Sequence, residues 1–252
     1  SAQIDMGVNC VLNYTKAFVY YAVKCALSPD SPNNDGSFRP ITVVAPPSSI
    51  LNATHPAPVG GRHLVGLFVP FAVFGALSQI IPDRIMAESS VLGAVTLSGQ
   101  DAGRQHYVFT FFCSGGMGAR PGKDGLDATA FPSNVASAPV EVMEQAAPIL
   151  VTRRELMPGS AGDGRFRGGA GQRIGLKLRS DVAASVSTMF ERALFPPKGV
   201  LGGEDGSPTR LTLDGEVIDP KRGCVLRPGS ELTVETAGGG GYGPAPAPKD
   251  GP

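Results

Sequence analysis

The chain has 252 residues, of which 42% are hydrophobic and 17% charged, and its 22 basic and 22 acidic side chains cancel. A chain of this length can bury a substantial core, and zero net charge argues against a surface that recruits nucleic acid or an anionic membrane. Glycine (34 residues) and proline (23 residues) are frequent, which predicts many turns between the apolar segments of a folded protein.

The predicted helices lie in the N-terminal third of the chain. Residues 15–27 carry apolar side chains at helical spacing and predict the first helix. Residues 38–45 are rich in β-branched side chains and predict a strand that ends at Pro46. Residues 64–81 form the longest apolar run and predict a second helix, kinked at Pro70. Because polar residues interrupt this run, it indicates a buried helix and not a membrane span.

The sequence after residue 90 predicts mainly strands. Strands at 92–97 and 105–113 are joined by a hairpin turn at 100–103, and residues 140–146 predict a short helical turn. Further short strands, separated by Gly, Pro and Asp turns, are predicted at residues 149–156, 174–179, 184–188, 209–213, 216–218, 224–226 and 231–235. The whole pattern predicts an α+β protein whose C-terminal part is a β-rich sandwich or barrel-like unit.

The pattern of predicted elements changes near residue 160, from mixed helices and strands to short strands separated by turns. We therefore expect a mixed α/β core unit over residues 1–160, a β-rich unit over residues 161–243 and a disordered tail over residues 244–252. The first nine residues have no initiator Met and read like the middle of a strand. This suggests the C-terminal half of a longer polypeptide, a processed product or a recombinant fragment.

The four cysteines, Cys10, Cys25, Cys113 and Cys224, are far apart and lie in or beside apolar segments. Their spacing matches no zinc motif, and we predict no metal site in this chain. Reduced, partly buried thiols are typical of a cytoplasmic protein.

Arg62 and His63 follow two glycines at the start of the second predicted helix. The Arg62 guanidinium offers a planar fork of donors to a carboxylate or phosphate, and the helix N-terminus adds partial positive charge. His63 could act as an acid–base group or a metal ligand. The structural alternative is that Arg62 pairs with a carboxylate of the fold and that His63 caps the helix or packs.

A glycine loop, residues 115–120, follows the strand at 105–113. Successive N–H groups of such a loop can hold an anion, and Arg120 would add charge. The loop is not a Walker A motif, because no GKS or GKT closes it, and Pro121 prevents a helix from starting there. The alternative is a turn with no ligand.

Residues 159–171 form a second glycine cluster, which carries Arg165 and Arg167. It could form a backbone cradle against a partner subunit or against the rest of its own chain, or it could simply connect the two units. Residues 238–241 are expected to pack closely against another backbone. The residues show no Ser/His/Asp arrangement and no interpretable pair of carboxylates, so the sequence alone does not contain a complete active site.

Six long segments, in order along nearly the whole chain, resemble the C-terminal half of the B-type subunit of the hydantoinase/oxoprolinase family. That family also includes the large subunits of acetone-type carboxylases. The segments are residues 9–27, 38–66, 115–134, 139–150, 153–172 and 238–243.

The resemblance implies that the chain acts with an A-type subunit, which uses ATP to phosphorylate the amide or ketone oxygen of the substrate. The B-type part then completes hydrolysis or carboxylation. ATP and a divalent metal are expected in the complete complex and no cofactor in this chain, because the metal segment of the family belongs to an N-terminal half that is missing here.

The resemblance, with the residue types above, also implies candidate site residues. The candidate catalytic residues are Arg62, His63 and Arg120, and the candidate substrate-binding residues are Gly115, Gly116, Gly118, Arg167, Gly168 and Gly169. No metal ligand is assigned.

The predicted function is the C-terminal part of the B-type subunit of an ATP-dependent cyclic-amide hydrolase, inactive alone. One alternative is a non-catalytic structural and interaction module of such a complex, and another is a fragment of an acetone-type carboxylase large subunit. The expected partners are the A-type subunit, the missing N-terminal half and a second copy of the chain, because zero net charge favours association.

Overall fold

The computed structural model describes residues 1–245 and divides the chain into two compact units, residues 1–85 and the chain from Met86 onward. Residues 246–252 of the expected disordered tail lie outside the described residues. No helix within residues 1–245 is both long and apolar enough to cross a membrane.

The first unit is helical. It contains α1 (Leu12–Leu27), α2 (Asp35–Phe38), α3 (His63–Gly66), α4 (Val69–Leu77) and a short 3-10 helix (Pro82–Arg84). The first predicted helix is confirmed, and it begins three residues earlier than expected. Helices α1 and α4 pack against each other, with buried side chains that include Ala22, Ala26, Phe71 and Phe74.

The prediction of one kinked helix over residues 64–81 is wrong in its extent. The structure forms two helices, α3 and α4, and helical structure stops at Leu77. Pro70 lies in the first turn of α4, where its missing N–H has no helical partner to lose. Proline therefore marks the beginning of a helix here and not a kink within one.

The strand predicted over residues 38–45 is also wrong. Phe38 is the last residue of α2, and no strand follows it before residue 46. Helix α2 begins at a capping box, in which the Asn34 side chain accepts from the Ser37 N–H at 3.0 Å. The capping box accounts for the helix that includes Phe38, and residues 39–45 pair with no strand among the described residues, so their β-branched composition alone does not make them a strand.

The second unit contains the strands and one helix, α5 (Val140–Ala146). Its strands are β1 (Gly93–Gln100), β2 (His106–Cys113), β3 (Ile149–Leu156), β4 (Gln172–Leu178), β5 (Ala184–Met189), β6 (Arg210–Leu213), β7 (Glu216–Ile218), β8 (Cys224–Leu226) and β9 (Glu231–Glu235). All strand pairs are antiparallel and form two sheets, in the orders β2-β1-β5-β8 and β3-β4-β9-β6-β7. The α+β class, with helices mainly near the N-terminus, is confirmed.

One hydrophobic cluster joins the two sheets. Val95, Leu97 and Phe111 come from the first sheet, while Leu176 and Leu232 come from the second, and all five are at most 2% exposed. Alternation along the strands directs these side chains to one face of each sheet. The boundary expected near residue 160 falls between β3 and β4, which pair with each other inside the second unit.

Three irregular segments of the second unit lie side by side, and we call them the glycine network: residues 115–119, 160–171 and 237–241. Backbone hydrogen bonds connect them, for example from Gly239 N to the Gly169 oxygen at 2.9 Å and from Gly169 N to the Met117 oxygen at 2.7 Å. A Cβ on Gly239 would overlap the Met117 carbonyl. The close backbone packing predicted for residues 238–241 is confirmed, and it explains why the clusters contain glycine.

Candidate functional site

Arg62 and His63 begin α3 in the first unit. The Arg62 guanidinium carbon lies 5.3 Å from the centroid of the Tyr14 ring, and Arg62 Nη1 donates to the Val59 carbonyl oxygen at 3.3 Å. Within residues 1–245 no carboxylate forms an ion pair with Arg62, and its side chain is exposed. Arg62 is therefore held over an aromatic face with donor capacity left for an anion.

The His63 ring is half-buried beside Arg62. Its Nε2 atom is buried and has no hydrogen-bond partner among the described residues. Burial lowers the pKa of His63, and the neighbouring charge of Arg62 lowers it further. A neutral imidazole at neutral pH can take up a proton from a reacting group, which is the property a general base requires.

Cys10 lies next to this pair but is not arranged as a nucleophile. Its thiol donates to the Arg62 carbonyl oxygen at 3.4 Å, and the residue is fully buried. Burial raises the pKa of the Cys10 thiol, so the reactive thiolate is disfavoured.

The predicted anion cradle at residues 115–120 has the N–H donors of residues 116–120 bonded within the chain. Gly116 N donates to the Ala237 oxygen at 2.9 Å, and Gly118 N donates to Ser89 Oγ at 2.9 Å. Gly115 is buried with them, and a Cβ there would overlap Ser90. These N–H donors therefore hold the glycine network together. A substrate-binding role for the loop stays a prediction, and it would require contacts from atoms other than these N–H groups.

The second predicted cradle shows the same use of its donors. Gly168 N donates to the Gly162 oxygen at 2.9 Å, and Gly169 N is bonded to Met117 as described above. Both residues are buried. Arg167, in contrast, is exposed, so its side chain faces solvent from this cluster.

Arg120 and Arg167 converge on one short segment, residues 124–127, which we call the Asp124 loop. Arg120 Nη2 donates to the Asp124 carbonyl oxygen at 3.1 Å, and Arg120 Nε is buried without a hydrogen-bond partner among the described residues. Arg167 N donates to Asp124 Oδ1 at 2.9 Å, and Arg167 Nη2 lies 3.5 Å from Asp127 Oδ1. The structure thus brings together two of the predicted site residues that are 47 positions apart in the sequence.

The Asp124 loop can present charge of both signs. The Arg167–Asp127 pair is exposed on both sides, with 44% and 38% of the side chains accessible, so solvent weakens it. A bound anion could take the place of Asp127 at the Arg167 guanidinium.

Asp124 and Asp127 are the residues that the sequence reasoning missed. Asp127 Oδ1 accepts from Ala170 N at 2.6 Å, so both carboxylates connect the Asp124 loop to the glycine network. Two aspartates three residues apart within a glycine-rich stretch are a signal that could have indicated this role. A further ion pair, Arg192 with Glu88 at 2.7 Å, is 104 residues apart in sequence and has no local signal.

Within the part of the chain that the structure describes, no three His, Cys, Asp or Glu side chains lie close enough together to hold a metal ion. The two aspartates of the Asp124 loop accept hydrogen bonds from backbone donors. The described residues therefore offer no ligand set that fits a divalent metal.

The chain matches the model of the Hydantoinase B/oxoprolinase family over residues 1–245. The chain therefore belongs to the hydantoinase B/oxoprolinase family. It is 32% identical over 220 residues to the putative B-type subunit of a D-/L-hydantoinase from a Pseudomonas species, and the match covers 84% of this chain and 37% of that protein.

Two solved structures share the fold. An ATP-dependent caprolactamase from Pseudomonas jessenii aligns with a TM-score of 0.82 at 25% identity, over 98% of this chain and 46% of that one. A nucleotide-free acetone carboxylase aligns with a TM-score of 0.80 at 15% identity, over 94% of this chain and 38% of that one. The chain spans less than half the length of the curated relatives it matches.

Proposed function

We propose that this chain is the C-terminal part of the B-type subunit of an ATP-dependent hydrolase that opens cyclic amides. The observation that carries the proposal is the family match, which extends over residues 1–245. The names of two similar proteins, a hydantoinase and a caprolactamase, both refer to enzymes of cyclic amides. We further propose that an A-type subunit, the remaining part of the B-type subunit, ATP and a divalent metal complete the complex.

The site residues suit the charge changes of amide hydrolysis. Negative charge develops on the amide oxygen and must be stabilised by fixed donors, while the leaving nitrogen must receive a proton. Arg120 and Arg167 supply guanidinium donors at the Asp124 loop. Arg62 supplies another in the first unit, and His63 supplies a neutral imidazole. We assign charge stabilisation to the arginines, and to neutral His63 the removal of a proton from the attacking water and its delivery to the leaving nitrogen.

One observation favours the alternative of a structural module. The N–H groups of Gly116, Gly118, Gly168 and Gly169 all serve the packing of the chain itself. In that case this chain would contribute structural surfaces and subunit contacts to the complex, and the catalytic residues would lie in other parts of the complex. The carboxylase alternative rests on the shared fold of an acetone carboxylase at 15% identity, which carries no information about the reaction.

We place the complex in the cytoplasm. All four cysteines are free thiols, which is consistent with a reducing compartment.

The test uses the complete complex, with this chain in its full-length subunit and the A-type subunit present. We expect ATP-dependent ring opening of a cyclic amide among hydantoin, N-methylhydantoin, 5-oxoproline and caprolactam, and no activity from the 252-residue chain alone. Arg120→Lys should lower turnover by roughly tenfold or more, because lysine keeps the charge but loses the planar fork. Its melting temperature should be unchanged.

The matched control is Arg227→Lys, at an exposed arginine outside the Asp124 loop, which should keep normal turnover. If Arg120→Lys retains turnover while losing stability, the structural module is the correct description. Bicarbonate-dependent carboxylation of acetone by the same complex, without ring opening, would instead establish the carboxylase alternative.

A further inference from the structure

The two sheets of the second unit end in four edge strands, and three of these are protected. Strand β3 carries exposed charges over Arg153–Glu155 and a register irregularity at the same place. Its edge is also capped, because Val151 N donates to Glu144 Oε1 at 2.8 Å. Strands β7 and β8 have only three residues each. Charges, bulges and short length are the usual means of preventing strands from pairing with another molecule.

The fourth edge strand, β2, has none of these protections. It is eight residues long, contains no Asp, Glu, Lys or Arg and no proline, and pairs with β1 in one uninterrupted register. Within residues 1–245, no backbone hydrogen bond reaches β2 from the side opposite β1. A long, uncharged and unpaired edge offers a row of free donors and acceptors to another strand.

The open part of β2 is its N-terminal half, residues 106–110. Val108 is 75% exposed on the outer face, between exposed His106 and Thr110. Tyr107 and Phe109 face the core, yet both are only partly buried, whereas Phe111, further along β2, is 2% exposed. The core is therefore incomplete along this half of the edge.

We propose that residues 106–110 of two copies of this chain pair as antiparallel strands across a two-fold axis at Val108. This register sets Val108 opposite Val108, Tyr107 opposite Phe109 and His106 opposite Thr110. Because opposite residues share a face in an antiparallel pair, exposed side chains meet exposed ones and core-facing rings meet core-facing rings. The absence of Asp, Glu, Lys and Arg from β2, and of net charge from the chain, limits repulsion between the copies.

A second copy is the occupant because the segment is complementary to itself. A two-fold interface requires the same patch on both molecules, and residues 106–110 satisfy this at every opposed position. The pairing joins two four-stranded sheets into one of eight strands, whose outer edges are both the three-residue β8. Further growth is therefore blocked, and the assembly closes as a dimer.

The test is sedimentation velocity of the 252-residue chain over a concentration series in the micromolar range. The wild-type chain should form a dimer, and Val108→Lys should raise the dimer Kd by about tenfold or more, because like charges then face each other across the pair. The matched control is Val217→Lys in β7, also an exposed valine (64%) on an edge strand, which should leave the dimer intact.

A second variant tests the register directly. Opposed Cα atoms of an antiparallel pair lie about 4.5–5.5 Å apart, which a disulfide can span. Val108→Cys should therefore form a 108–108 disulfide on oxidation, identified by mass spectrometry of the linked peptide.

Several outcomes would count against the proposal. A monomeric wild-type chain, a dimer that Val108→Lys leaves intact, or one that Val217→Lys disrupts equally would overturn it. Failure of the Val108→Cys link in a confirmed dimer would overturn the register at Val108. Melting temperatures of all variants confirm that each is folded.

Discussion

At the scale of single residues, the candidate site residues of each unit differ in how the structure partners their charged groups. Arg62 lies over an aromatic ring, and Arg167 shares an exposed carboxylate. Arg120 keeps a buried Nε without a partner among the described residues. Structural arginines normally have their donors satisfied, because an unpaired buried donor costs free energy. The incomplete pairing of Arg120 makes it the strongest single-residue candidate for contact with a ligand.

His63 gives a prediction about pH. Its pKa is lowered in the folded chain, so the unfolded chain binds a proton at a higher pH than the folded one does. The stability from neutral His63 is therefore present above its ordinary pKa of about 6.5 and is lost as pH falls below that value. The melting temperature of the wild-type chain should fall between pH 7 and pH 5, and His63→Gln should flatten this decline.

The control for this measurement is His55→Gln, which removes an exposed histidine of the first unit and keeps His63. It should retain the slope of the wild-type chain. An equal slope in His63→Gln and the wild type would show that the half-buried His63 ring does not contribute to the pH dependence.

At the scale of elements, the glycine network is the part of the fold that we expect to tolerate an added side-chain atom least. Its segments belong to no helix or strand, yet their backbones are as closely bonded as those of a sheet. A side chain has no room between them, since a Cβ on Gly169 would overlap the Leu126 carbonyl oxygen. Neighbouring segments cannot move aside without breaking the hydrogen bonds that Gly169 itself shares.

We therefore expect Gly169→Ala to lower the free energy of unfolding by about 2 kcal/mol or more, as overpacking does in tight cores. Gly103→Ala is the matched control in the same unit, because a Cβ there meets only the flexible Asp101 carboxylate at 3.3 Å. It should change stability by less than about 0.5 kcal/mol. Urea unfolding of both variants measures the difference, and equal stabilities would contradict the packing role of Gly169.

Elements with a clear local signal could be predicted from sequence, and those decided by distant contacts could not. The hairpin β1–β2 follows from alternation and from the turn residues between the strands. The break between α3 and α4 does not, because residues 64–81 are apolar on both sides of it. The sequence predicts special backbone at the glycine clusters, but the N–H groups of Gly116, Gly169 and Gly239 bond to residues 121, 52 and 70 positions away. Without those partners, a cradle for an anion and a packed network look alike in sequence.

In the candidate site, too, the residues could be predicted from the local sequence, but the contacts between them could not. Arg120 and Arg167 were predicted from their glycine-rich surroundings, but their meeting at the Asp124 loop depends on the register of the glycine network. Asp124 and Asp127 were overlooked because an aspartate beside glycine is an ordinary turn residue. Only the structure shows that their carboxylates accept from backbone donors 43 residues later.

At the scale of the whole molecule, the two compact units differ in kind. The first is helical, and the second holds both sheets, the glycine network and the joined hydrophobic cluster. Every member of that cluster lies between Val95 and Val234. The sheets and their shared core thus lie within one continuous stretch of chain, which is the usual requirement for independent folding.

We therefore expect a fragment of residues 86–252 to fold without the first unit. Its far-ultraviolet circular dichroism should show β structure, and it should unfold in one cooperative thermal transition, because cooperativity follows from a shared core. The deletion leaves every strand pair and the Asp124 loop intact, so the expected loss is confined to the helical signal of α1 to α4. The same fragment with Leu176→Ala, at a position with 0% exposure, should melt at a markedly lower temperature, since core truncation costs about 2–5 kcal/mol. A fragment that unfolds gradually, or whose melting temperature is unchanged by Leu176→Ala, would show that residues 86–252 do not form a core by themselves.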